Sequence, residues 1–158
     1  MKTPAIHYKR VRFSARLPEA YRYSPSHFWF YEIEPGIWQV GFTTFATRML
    51  GDLVEFEFKV SPGARIETGQ VIGWTEGFKA LSDIYSAASG EFLGVNPALQ
   101  QSITLLDNDP FGAGWLYKIR GTPGPGTTDV HGYIAILDAT IDKMLQGRHA
   151  KGEPQENV

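Results

Sequence analysis

The stretch Gly73-Trp74-Thr75-Glu76-Gly77-Phe78-Lys79-Ala80-Leu81-Ser82-Asp83-Ile84-Tyr85 reads as two short strands with a lysine between them. Val71 to Thr75 climbs to Lys79, and Ala80 to Ser86 descends from it. A lysine at the tip of a tight hairpin packs poorly, but its amine is open to another protein. Acylation of that amine would remove its charge. The chain has no cysteine, so it offers no disulfide, thiol nucleophile or cysteine-based metal site. Any redox-active sulfur must therefore arrive on a cofactor. The lack of cysteine is also compatible with a reducing, cytoplasmic location.

Other chemistries find weaker support. His7, His27, His131 and His149 are widely spaced and lack the spacing of metal ligands. Serine, histidine and aspartate are all present, but no nucleophile elbow is. Gly121 to Gly126 is glycine-rich without a P-loop lysine or a strand-to-helix context. With 15 basic and 17 acidic residues, the net charge of −2 gives no electrostatic case for nucleic acid or an anionic membrane. No apolar run is long enough to span a bilayer, and the basic start lacks the apolar segment of a secretory signal.

The elements that position Lys79 read as a mainly β domain with added helices. A chain of 158 residues fits one domain, and 42% apolar content suffices for one core. Seventeen glycines and ten prolines predict frequent turns. Residues 1–20 read as an N-terminal arm, with a short strand possible where Val11, Phe13, Ala15 and Leu17 alternate with polar residues. His27 to Ile33 and Ile37 to Thr43 form a hairpin about Glu34-Pro35-Gly36. A two-turn helix follows near 44–50, with Thr44 as a possible cap and Gly51 as its stop. Asp52 to Lys59 is a half-buried strand. Ser89-Gly90 is expected to turn, Glu91 to Val95 to extend, Pro97 to open a helical turn, residues 107–114 to form a loop, and Trp115 to Ile119 to extend. Residues 121–128 read as a linker. Val130, Tyr133, Ile134, Leu137, Ile141, Met144 and Leu145 then mark an amphipathic helix over 129–147, capped by Thr128 or Asp129 and stopped by Gly147. Its stripe predicts docking on the β domain. Residues 148–158 read as a flexible tail.

Several motifs carry a resemblance. Glu76-Gly77-Phe78-Lys79-Ala80-Leu81-Ser82-Asp83 resembles the E-S-V-K-A-x-S-D segment around the lipoylated lysine of glycine cleavage H proteins. Ser89-Gly90-Glu91-Phe92-Leu93-Gly94-Val95-Asn96 resembles S-G-E-V-x-x-V-N. Tyr23-Ser24-Pro25-Ser26-His27-Phe28-Trp29 resembles Y-T-P-S-H-E-W, and Asp109 to Ile119 resembles D-P-Y-G-x-G-W-L-x-K-I. The biotin carriers' M-K-M tip is absent. The resemblance covers about residues 21–120. It implies a lipoyl-domain-like flattened β-barrel or sandwich of antiparallel hairpins and a non-enzymatic carrier with lipoate amide-linked to Lys79. It also implies recognition by a lipoylating enzyme through Glu76 and Gly90. A monomer is expected, because a carrier's arm must visit several partners.

The resemblance also implies a cleft for the loaded arm, formed here by Ser26, Phe28 and Asp83. Phe28 stands where H proteins have a glutamate facing the cationic aminomethyl load. Losing that carboxylate would remove a charge-assisted hydrogen bond worth roughly 1.5–3 kcal/mol. The change favours a different cargo: a sulfur intermediate, as in the H-like lipoate-binding proteins that serve a heterodisulfide-reductase-like complex in sulfur oxidation. The alternative is a glycine cleavage carrier working with the P, T and L proteins, with Phe28 simply packed inward and Glu32, Glu55 or Glu57 serving the amine. A third reading is a lipoyl donor or an unlipoylated binding module.

Overall fold

A computed structural model describes residues 4–150, which fold into eleven strands and four helices. The strands are β1 (Ala5–Arg10), β2 (Phe13–Pro18), β3 (Arg22–Tyr23), β4 (Phe28–Glu34), β5 (Ile37–Phe42), β6 (Leu53–Phe58), β7 (Arg65–Ile66), β8 (Val71–Gly77), β9 (Leu81–Tyr85), β10 (Ala88–Val95) and β11 (Tyr117–Pro123). The helices are α1 (Thr44–Leu50), α2 (Ala98–Gln101), α3 (Leu105–Asn108) and α4 (Val130–Ala150). No helix among the described residues is long and apolar enough to cross a membrane.

Alternation of apolar and polar residues gives most strands one buried face, while β4 is buried on both sides at Phe28, Trp29 and Phe30, and two antiparallel sheets close on the shared faces. One has the order β3-β4-β5-β11-β10-β7 and the other β6-β8-β9. Phe30, Val40, Phe92 and Ile119 of the larger sheet share a core with Leu53, Ile72 and Ile84 of the smaller. This is the expected β+α sandwich of hairpins; no closed barrel is needed to describe it.

A second core explains the helix stripe. Val130, Tyr133, Leu137 and Ile141 of α4 are buried against Tyr8, Phe13, Leu17, Tyr23, Trp29 and Phe45. Each large side chain so buried contributes about 1.5–3 kcal/mol. Residues 5–18 are therefore a hairpin, β1 with β2, rather than an arm. Phe13, Ala15 and Leu17 point inward as their alternation predicts. Val11 instead sits exposed in the turn at φ 55°. Tyr8 donates to Asp138 Oδ1 at 2.7 Å, and Arg10 pairs with Asp138 at 3.4 Å and with Asp142. These contacts fasten β1 to α4 across the chain.

Other expectations are corrected locally. Ser89-Gly90 is strand, not turn: Gly90 lies within β10, opposite Gly121 of β11 and Ile66 of β7. The start of the expected linker is strand as well, since β11 continues through Pro123. Asp107 and Asn108 belong to α3 rather than to a loop. Thr43, not Thr44, caps α1, accepting from Ala46 N at 3.4 Å. Gly147 does not stop α4, which runs on to Ala150. A lone glycine weakens a helix by only about 1 kcal/mol, less than the buried stripe contributes. The expected tail beyond 150 lies outside the described residues.

α4 also reaches the region of α1 through a polar junction. Tyr133 Oη lies 2.8 Å from Thr43 Oγ1 and 2.8 Å from His27 Nδ1. His27 sits at φ 70° with its ring 4.6 Å from that of Phe45. Burial pushes the His27 pKa down to about 4, so the imidazole is neutral in the fold.

A Cβ on Gly90 would meet Arg120 O at 2.1 Å, at a φ of +151°. Gly90→Ala should therefore cost on the order of 3 kcal/mol, lowering the melting temperature by roughly 6–12 °C. For His27, the unfolded chain binds the proton first, because its pKa is higher than the folded one. Stability should thus be complete above about pH 6.5 and decline toward pH 4, by about 3 kcal/mol in all. His27→Asn, which tolerates the positive φ, should flatten that part of a melting-temperature profile against pH.

Candidate functional site

Lys79 is exposed at the middle of the three-residue connection Phe78-Lys79-Ala80 between β8 and β9. Gly77 N donates to Ala80 O at 2.9 Å and closes the loop. The reciprocal donor is used elsewhere. Ala80 N points to Leu50 O at 3.3 Å, and Lys79 N donates to the same oxygen at 2.9 Å. Phe78 N donates to Asp52 O at 3.1 Å. The tip is therefore held by the chain just at and after the end of α1.

Sequence chemistry explains why this contact forms. The last carbonyls of a helix have no partner within it, and Leu50 is the last residue of α1. Gly51 turns the chain away at φ +76°, freeing the Leu50 carbonyl for the hairpin. A Cβ on Gly51 would meet Lys79 N at 2.9 Å, and one on Gly77 would meet Leu50 O at 2.1 Å. Glycine at both positions lets two backbones touch. Among the described residues only Val11 and His27 combine a side chain with positive φ, so no residue of Phe78-Lys79-Ala80 takes the left-handed conformation that tight hairpin turns use. Docking on α1 supplies the stabilisation that turn type would otherwise give.

A cleft of about 220 Å³ opens beside β9 and brings the three expected arm-docking residues together: Ser26, Phe28 and Asp83 all line it. Its walls are mostly apolar, with Phe42, Phe45, Met49 and Tyr85 alongside Phe28. Phe28 is 6% exposed and stacks on Phe42 with ring centres 5.4 Å apart. It thus both packs inward and forms the cleft wall. Ser24 Oγ positions this corner by contacting Ser26 Oγ at 2.9 Å and accepting from Phe28 N at 3.1 Å. Asp83 is the only carboxylate in the lining. Glu32 instead accepts from Gly36 N in the β4–β5 turn, and Glu55 and Glu57 lie on β6 away from the cleft. A second cleft, of about 260 Å³, is lined by Lys79 itself with Thr47, Arg48, Asp52 and Phe78.

The remaining expected site residues separate. Glu76 is exposed on β8 three residues before Lys79, opposite Leu81. Gly90 is buried in the larger sheet, where Arg120 O and Gly121 Cα leave no room for a side chain. Sequence reasoning missed His27 and Met49 as lining residues and Leu50 as the support of the tip. The signal for Leu50 was present in Gly51, which marks the helix end whose carbonyls need donors. Among the described residues no group of three histidine or acidic side chains could hold a metal.

This geometry agrees with what related proteins are. Residues 21–129 match the family model for the glycine cleavage H-protein. A glycine cleavage system H protein from Corynebacterium jeikeium is 36% identical over 122 residues, covering 75% of this chain and 95% of that protein. One from Escherichia coli is 34% identical over 131 residues, covering 83% and 96%. A crystal structure of a glycine cleavage system H protein from Mycobacterium marinum superposes with a TM-score of 0.67 at 30% identity, covering 75% of this chain and 97% of that one. Glycine cleavage H proteins carry lipoate on a lysine and are carriers, not enzymes. The chain belongs to the glycine cleavage H-protein family.

Proposed function

We propose that this chain carries lipoate amide-linked to Lys79 and passes an aminomethyl group among the P, T and L proteins of glycine cleavage. The observation that carries the reading is Lys79 exposed on a hairpin tip whose backbone is pinned to α1. Family membership over residues 21–129 supports it. Lipoate on that amine supplies a dithiolane, a group-carrying and two-electron cofactor. The protein's own residues fix the origin of the arm, and tethering raises the local concentration of its end at each partner. Ser26, Phe28 and Asp83 form the cleft into which the loaded arm returns. Asp83 supplies the one negative charge there, which suits an ammonium. Glu76 serves as a charged mark for the lipoylating enzyme. Gly90 acts on lipoylation through the fold it permits.

A second reading rests on Phe28. The apolar walls suit an uncharged load, such as a sulfur intermediate passed to a heterodisulfide-reductase-like complex. The named relatives are glycine cleavage H proteins and lend that cargo no support.

Intact mass after incubation with a lipoate–protein ligase, lipoate and ATP should gain one lipoyl group, and Lys79→Ala should gain none. An increment that persists in Lys79→Ala would refute the attachment site. Cargo is tested with the lipoylated protein in a glycine-dependent methylene-transfer assay. The glycine reading requires turnover by the unaltered chain. Phe28→Glu should then retain the aminomethyl load roughly tenfold longer, at some cost in melting temperature because Phe28 is packed on Phe42. An unaltered chain inactive in this assay would favour the sulfur cargo.

A further inference from the structure

The hairpin tip presents two large apolar side chains to water: Phe78 is 82% exposed and Leu81 is 70% exposed. They stand one residue before and two residues after Lys79. Phe78 is anchored by its N–H to Asp52 O, and Leu81 is held in the β8–β9 ladder opposite Glu76, so both are displayed on a fixed surface. Leu81 shares a cross-strand row with Glu76 and Glu55, and Asp83 shares the next with Trp74 and Glu57. All four carboxylates are exposed. Glu55 directly opposite Glu76 works against the sheet, and two exposed apolar side chains flanking one lysine add nothing to the core.

We propose that Phe78 and Leu81 form an apolar docking pair for the enzyme that acylates Lys79, whose matching surface is an apolar socket with a basic rim. The inference rests on Lys79 being the lipoylation site. The chemistry selects this partner over the users of the finished arm. In acylation the Nζ lone pair attacks the carbonyl carbon of an activated lipoyl donor. The C–N bond forms, the bond to the leaving group breaks with its electron pair, and Nζ gives up a proton. The reacting atoms must come within about 3–3.5 Å, so the enzyme's footprint covers the residues on either side of Lys79. An enzyme that uses the arm meets the dithiolane a full arm's length from the backbone and has no such obligation. The basic rim faces the Leu81 side, where Glu76 and Glu55 share its row and Asp83 and Glu57 stand in the next.

The test measures initial rates of lipoylation by intact mass, on the full-length unmodified chain with lipoate, ATP and a lipoate–protein ligase. Phe78→Ser/Leu81→Ser should lower kcat/KM by roughly thirtyfold or more, mainly through KM. Both residues are exposed, so an unchanged melting temperature separates this loss from misfolding. Glu55→Gln, outside the core, should weaken recognition less, and its effect should fade at high salt. Once fully lipoylated by long incubation, the double variant should be reduced by dihydrolipoyl dehydrogenase within about twofold of the parent. Lipoylation of the double variant within about twofold of the parent rate would overturn the proposal. So would an unmodified chain that sediments as a dimer and is dissolved by the two substitutions, which would assign the pair to a second copy. A parent chain that gains no lipoyl group would instead remove the attachment reading beneath it.

Discussion

The presentation of Lys79 depends on one acceptor, the carbonyl oxygen of Leu50. It takes the N–H of Lys79 at 2.9 Å and of Ala80 at 3.3 Å. A helix end needs donors, and a short hairpin loop whose residues lack positive φ needs outside support. Each element meets the other's need. The two glycines that flank the contact, Gly51 and Gly77, permit its closeness. Because the lysine's backbone is tied to a helix rather than to a free loop, its side chain emerges from a defined point.

That dependence propagates through α1. The helix starts at the Thr43 cap, whose hydroxyl also meets Tyr133 of α4. Tyr133 in turn meets His27, which borders the cleft. α4 is held over this junction by the β1–β2 hairpin. Residues from both ends of the described chain thus buttress a lysine near its middle. Neither end supplies a reacting group, and their contribution is to keep α1, and therefore the tip, in place.

What could be read from the sequence follows physical range. The hairpins β4–β5 and β8–β9, helix α1 and the stripe of α4 carry local signals of alternation, turn chemistry and helical spacing, and they appear where those signals put them. The motifs also single out Lys79, which lies exposed at the hairpin tip, and Ser26, Phe28 and Asp83, which line one cleft. The missed features are non-local. β1 has a poor strand pattern by itself and exists because α4, about 130 positions on, offers Tyr8 an acceptor and an apolar surface. Gly90 looks like a turn residue in isolation. Its need for glycine comes from Gly121 and Arg120 on the neighbouring strand. Phe28 posed a choice between core packing and cleft lining that its sequence position could not resolve. A strand at the border of a core allows both, and Phe28 does both.

In the proposed function, attachment and cargo fall to different surfaces, which limits how far either can constrain the other. The groups beside the lysine, Phe78, Leu81 and Glu76, are exposed and anchored through backbone bonds. Substituting them changes what an approaching enzyme meets without disturbing a core. The cleft is built the opposite way. Phe28 is buried against Phe42 within the core that joins the two sheets. A carboxylate placed there must be desolvated and must also replace that packing. Its cost would be recovered only when a cation enters the cleft. Asp83, exposed on an edge strand, carries its charge without that penalty. A cleft that keeps Asp83 while holding an aromatic ring at position 28 binds a cation less tightly than one with two carboxylates, and it stabilises the folded protein more when the arm is elsewhere.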